Sequence, residues 1–161
     1  MRIDKQVPVA SVAWYKLADL IARGEREKAL SVYRLLSHSL DDRAYALQLE
    51  GDVLLALEDP RSKEKYFQAA SLYKSEKRWV DAVSVTEHLL AQYADDPVLL
   101  LLAVYCYAVL DVQPKATEYF AAFSKAIKTR DIAPDFFTEE LEMIKKMAGQ
   151  KHWLTKMLGP S

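Results

Sequence analysis

The sequence predicts an all-α protein, and three observations carry that prediction. Apolar residues recur at spacings of three and four along most of the chain, the signature of helices with one buried stripe. The 4 glycines and 6 prolines fall between those periodic stretches, as in many short helices joined by brief turns. No period-two run stands alone, since Val83-Ser84-Val85 lies inside a helical pattern.

Taken in order, the first helix is predicted over residues 8–22. Pro8 suits its first turn, and Trp14, Leu17, Ala18 and Ile21 form its stripe. Gly24 is the expected C-terminal cap. The second helix, 25–37, carries Ala29, Val32, Tyr33 and Leu36. The third begins after Asp41-Asp42, either of which can accept the free amides of the first turn, and stops near Asp59-Pro60. The fourth covers 61–74 with Tyr66, Phe67, Ala69, Ala70 and Tyr73. The fifth covers 79–93 with Ala82, Val85, Leu89 and Leu90. Asp95-Asp96-Pro97 combines a cap with proline at the first position and opens a sixth helix to Leu110. The seventh follows Pro114, with Ala116, Tyr119, Phe120 and Phe123. Two further helices are expected, over 135–147 and 151–158.

The composition excludes several functions. With 22 basic and 23 acidic residues, net charge −1, the chain lacks the cationic excess that phosphate backbones require, so nucleic acid is not an expected partner. The single Cys106 rules out an internal disulfide and any multi-cysteine metal site. Met1-Arg2-Ile3-Asp4-Lys5 and the short run 7–13 do not form a signal peptide, and the longest apolar stretch, 98–110, is too short for a bilayer, so the expected location is cytoplasmic.

No catalytic or metal site is expected, and no cofactor. His38, His88 and His152 lie far apart without ligand spacing, and Glu87-His88 reads as an exposed helix face. Cys106, inside the most apolar helix, reads as inert filling. The paired acids Asp41-Asp42, Asp95-Asp96 and Glu139-Glu140 sit at helix starts, where capping and the helix dipole account for them.

Spacing adds a further level. Ala29 to Lys63 and Ala82 to Ala116 are equal steps of about 34 residues, the length of one helix–turn–helix repeat. Tyr33, Phe67, Thr86 and Phe120 follow those four positions, each by four residues. Upstream come Trp14-Ala18-Ile21, Leu47-Gly51-Leu54, Tyr66-Ala70-Tyr73 and Leu100-Val104-Tyr107, in which a small residue sits between two larger ones. This is the pattern of helix hairpins that cross closely at small side chains and must stack to hide both faces. It resembles the tetratricopeptide repeat family over residues 11–128, with Trp14, Leu17, Ala29, Tyr33, Gly51, Ala82, Ala116 and Phe120 at matching positions. The step from Ala29 to Ala82 exceeds one unit by a helix and a turn, so the fourth helix fits both as the end of one hairpin and the start of the next.

The resemblance implies antiparallel hairpins stacked as a tetratricopeptide-like α-solenoid over 1–130, with capping helices and tail over 131–161. It further implies an adaptor or chaperone-like module whose groove binds a peptide or helix of another protein. The first helix would present Tyr15, Asp19, Ala22 and Arg23 to that groove, and the third Tyr45, Gln48, Asp52 and Leu55. From the residues alone, helix 97–110 has no charge and must be covered all round. Leu101 and Tyr105 mark a face that neighbours in sequence leave open, for the C-terminal segment, a second copy or a partner to cover. The C-terminal segment is the expected cover, through Phe136, Phe137, Leu141, Ile144 and Met147. Two alternatives remain: a homodimer through helix 97–110, and a peripheral membrane contact through Lys145, Lys146, Lys151 and Lys156.

Overall fold

The computed structural model describes residues 9–160, with side chains from Val12 onward, and Pro8 lies outside that range. The described residues form helices and turns, with no strand among them. The chain divides into two compact units between Ala69 and Ala70. The helices are α1 (Val9–Ala22), α2 (Arg26–Ser37), α3 (Arg43–Ala56), α4 (Ser62–Ser75), α5 (Trp79–Leu90), α6 (Pro97–Val109), α7 (Gln113–Thr129), α8 (Thr138–Ala148) and α9 (His152–Leu158). A 3-10 turn, Pro134–Phe137, leads into α8.

The predicted boundaries hold to within a few residues, and the capping chemistry explains why. Asp42 accepts from the Tyr45 amide at 3.0 Å and starts α3. Asp96 accepts from the Val98 and Leu99 amides and starts α6, with Pro97 in the first turn. One discrepancy is α5, which stops at Leu90 where the pattern suggested Tyr93, because the Gln92 amide closes on the Leu89 carbonyl only three residues back, a turn and not an α-helical bond.

The first unit is held by one cluster shared by α1, α2 and α3. Leu17 and Leu20 meet Ala29, Leu30, Tyr33 and Leu36, and Val53 and Leu54 complete it. Trp14, Ile21, Leu49 and Leu57 pack on its margin. Each fully buried leucine contributes about 1.5–3 kcal/mol relative to an exposed one. A polar clamp fixes the turn before α4: the buried Asp59 carboxylate takes the Arg61 amide at 2.9 Å, the Arg61 guanidinium at 2.7 Å and the Arg26 guanidinium.

In the second unit α6 packs against α5, α7 and α8. Leu99, Leu100, Leu101, Ala103, Val104, Cys106 and Ala108 are all buried. Leu101, expected on an open face, is only 2% exposed. The C-terminal segment supplies part of the cover. Phe137 meets Phe123 edge-on at 5.2 Å, and Ile144 and Leu154 are fully buried. Lys151 Nζ donates to the Ala108 carbonyl at 2.7 Å, at the end of α6, where the Asp111 amide turns back on the same oxygen. Trp153 Nε1 donates to Asp111 Oδ1 at 2.9 Å.

One turn recurs. Gly24, Lys77 and Asp111 each adopt a left-handed conformation, with φ of 69°, 60° and 61°. The residue after each donates its amide back to the last turn of the preceding helix, Glu25 to Leu20, Arg78 to Tyr73 and Val112 to Tyr107. Five residues after each left-handed position stands an alanine with no exposed surface, Ala29, Ala82 or Ala116. Lys77 and Asp111 are separated by the same repeat step as Ala82 and Ala116, and so are Gly24 and Glu58, whose φ is 54°. After Glu58 the pattern changes. Asp59-Pro60-Arg61 delays α4, and Lys63, not alanine, occupies the fifth position.

Candidate partner-binding surface

The residues singled out on α1 and α3 are exposed or half-buried on two helices that share the first unit's core. Leu17 and Leu20 face inward on α1, which turns Tyr15, Asp19 and Arg23 outward. Tyr15 is 75% exposed. Arg23 and Asp19 pair across one helical turn at 3.1 Å, an exposed contact that orders both side chains while adding a few tenths of a kcal/mol.

On α3, Tyr45 is exposed and Gln48 and Leu55 are half-buried. Asp52 is exposed but accepts the Tyr66 hydroxyl at 2.5 Å. Burial first, and then that bond to Asp52, push the Tyr66 hydroxyl well above its ordinary range, so it stays a neutral donor. Asp52 therefore serves the α3–α4 packing as well as the surface. Glu50 on the same helix pairs with Lys65 at 3.3 Å.

In the same unit α2 and α3 flank an open cleft of about 360 Å³ lined by Tyr33, His38, Leu40, Arg43, Leu47 and Glu50. The Tyr33 hydroxyl is already engaged there, donating to the Ala46 carbonyl.

The two expected residues on α6 belong to the second unit and behave differently. Leu101 is buried and offers no surface to a partner. Tyr105 is half-buried, tilted against Trp79 at 5.8 Å, with Lys74 Nζ 4.5 Å above its ring. A cation over an aromatic face attracts the ring quadrupole and holds both groups.

Among the described residues no group of three His, Cys, Asp or Glu side chains could hold a metal ion. Burial pushes the Cys106 thiol up to about 11, so it is protonated near neutral pH and a poor nucleophile. Among the described residues no helix is long and apolar enough to cross a membrane.

Glu87 is the residue that sequence reasoning misplaced. Its Oε1 accepts two phenols, Tyr107 at 2.8 Å and Tyr119 at 2.7 Å, whose rings stack 5.9 Å apart. Burial, then the bond to Glu87, pushes the Tyr107 hydroxyl up to about 12. Glu87 thereby ties α5 to α6 and α7. The only available signal was a glutamate and two tyrosines 20 and 32 residues away, which no local pattern connects.

Compared with known proteins, the chain matches no family model, no curated protein and no solved structure.

Proposed function

We propose that this chain is a non-enzymatic protein–protein interaction module, an adaptor or chaperone-like protein that holds a peptide or helix of a partner on the outer flanks of α1 and α3. The observation that carries the reading is the pair of exposed tyrosines, Tyr15 and Tyr45, standing on two helices that share one core. Tyrosine offers broad apolar area and a hydroxyl while losing little freedom on contact, which is why it is enriched at protein interfaces. The Asp19–Arg23 pair, Gln48 and Leu55 supply the polar and apolar rim. A tetratricopeptide-like stacking of hairpins is part of this reading, and the left-handed turns at Gly24 and Glu58, and again at Lys77 and Asp111, spaced by the same repeat step in each pair, support it. In this reading the module works in the cytoplasm, where a lone thiol such as Cys106 stays reduced.

The experiment is affinity capture from the native cell with the full chain and with Tyr15→Ala/Tyr45→Ala. Loss of a captured protein in the double variant, with the unfolding midpoint unchanged, supports the reading. Equal capture by both removes it.

A further inference from the structure

The α6 helix carries no charged residue, and its sides are not equally covered. Leu99, Leu100, Leu101, Val104 and Cys106 are buried. Val98, Leu102 and Tyr105, at spacings of four and three on one side, keep surface in water, and Val98 is 43% exposed. Lys74, near the end of α4, and Trp79, at the start of α5, join this stripe at Tyr105, and both belong to the second unit. Lys74 Nζ stands 4.5 Å above the Tyr105 ring, and Trp79 is tilted against the ring at 5.8 Å. All three side chains are half-buried.

The cluster offers donors that no protein acceptor takes. Among the described residues the Lys74 ammonium makes no ion pair, and neither the Tyr105 hydroxyl nor the Trp79 indole N–H donates to a protein atom. Among those residues no buried polar side-chain atom lacks a partner, so these three donors reach water. Comparable donors of the same unit are engaged: Tyr107 and Tyr119 on Glu87, and Trp153 on Asp111. The acids nearest in sequence are also committed. Glu76 and Asp81 pair with Arg78, Asp95 pairs with Arg130, and Asp96 caps α6.

An ammonium and an indole N–H can only donate, so a group that satisfies both must accept. A carboxylate does so with the stronger, charge-assisted bond, and it complements the one uncompensated cation. Beside it, the Val98–Leu102 stripe gains from contact with apolar side chains.

We propose that Val98, Leu102, Tyr105, Trp79 and Lys74 form a docking surface for an apolar peptide segment of a partner protein that carries an aspartate or glutamate. The carboxylate meets Lys74 and the Tyr105 hydroxyl, and the apolar side chains lie along Leu102 and Val98. Asp95 and Asp96, at the Val98 end, direct the carboxylate to the Lys74 end. This surface rests on observations separate from those at Tyr15 and Tyr45.

The probe is a random peptide display library, panned on the full native chain and counter-selected on Lys74→Gln/Val98→Glu. Both substitutions spare the core, so the unfolding midpoint should stay near the native value. Retained peptides should carry an aspartate or glutamate among apolar residues. Replacing that acid by its amide should raise Kd roughly tenfold, as should Lys74→Gln alone. Tyr105→Phe, which keeps the ring and removes the hydroxyl, should raise it by a smaller factor. Tyr15→Ala/Tyr45→Ala should leave it unchanged, so this surface and the one on α1 and α3 fail independently. The proposal is overturned if counter-selection leaves no peptide, if the retained peptides lack acids, or if their binding is lost in Tyr15→Ala/Tyr45→Ala.

Discussion

A methyl group on Gly51 would stand 2.8 Å from Cδ1 of the Tyr66 ring. The ring therefore rests directly on the α3 backbone. Tyr66 is buried, and its hydroxyl is fixed by Asp52 at 2.5 Å, so it has nowhere to retreat. Gly51→Ala improves helix propensity by about 1 kcal/mol, but overpacking a fixed side chain costs about 1–3 kcal/mol. Urea unfolding should show the variant destabilised, although alanine ordinarily stabilises a helix interior. A more stable variant would mean that the ring is free to shift.

The recurring turn yields a prediction of opposite sign. Lys77 and Glu58 are left-handed, a conformation that costs a non-glycine residue about 1–2 kcal/mol. Glycine recovers that cost and gives back about 0.5–1 kcal/mol in unfolded-state entropy. Lys77→Gly and Glu58→Gly should each raise stability by about 0.5–1 kcal/mol. Asp111→Gly should not, since Asp111 also holds Trp153 and Lys151. Thermal unfolding of the three variants side by side checks the contrast.

Acid should loosen the first unit through Asp59. The guanidinium and amide of Arg61, and then Arg26, hold the Asp59 carboxyl well below the usual carboxylate range despite its burial. In the unfolded chain the same group binds a proton at about pH 3.9. The stabilisation is thus fully present above that value and is lost progressively as pH falls toward the folded one. Asp95, beside Arg130, and Asp111, beside Trp153 and Lys151, are lowered in the same direction. The unfolding midpoint should fall as pH drops below about 5, and Asp59→Asn should flatten that slope while lowering stability at neutral pH. An unchanged slope in Asp59→Asn would place the acid sensitivity elsewhere.

Glu87 gives a graded test. Glu87→Ala leaves two partly buried hydroxyls without their acceptor and should cost about 1–3 kcal/mol. Glu87→Gln keeps a carbonyl oxygen at the same place and should cost less than half as much. Equal losses in the two variants, measured by urea unfolding, would show that the charge and not the acceptor matters.

What could be read along the sequence was whatever local chemistry fixes. Asp42, Asp96, Pro97 and Gly24 marked helix ends because capping acts within one turn. The alanines that the spacing picked out, Ala29, Ala82 and Ala116, are all fully buried, each five residues after a left-handed turn. Left-handed lysine, glutamate and aspartate at the turns carried no signal, since these residues are commonplace on surfaces. Glu87 and Asp52 looked like solvated charges because their partners are tyrosines brought close only by folding. Leu101 looked uncovered because neighbours in sequence could not cover it, whereas in the fold it is closed over within the chain. On the candidate surface, Tyr15 and Tyr45 were singled out through the repeat resemblance, and both are exposed.

The most direct test of the docking account is titration calorimetry of the captured partner against the native chain and against Tyr15→Ala/Tyr45→Ala. The account predicts at least a tenfold rise in Kd for the double variant with unfolding stability unchanged, because both tyrosines are exposed and contribute little to the core. Identical affinities would contradict it.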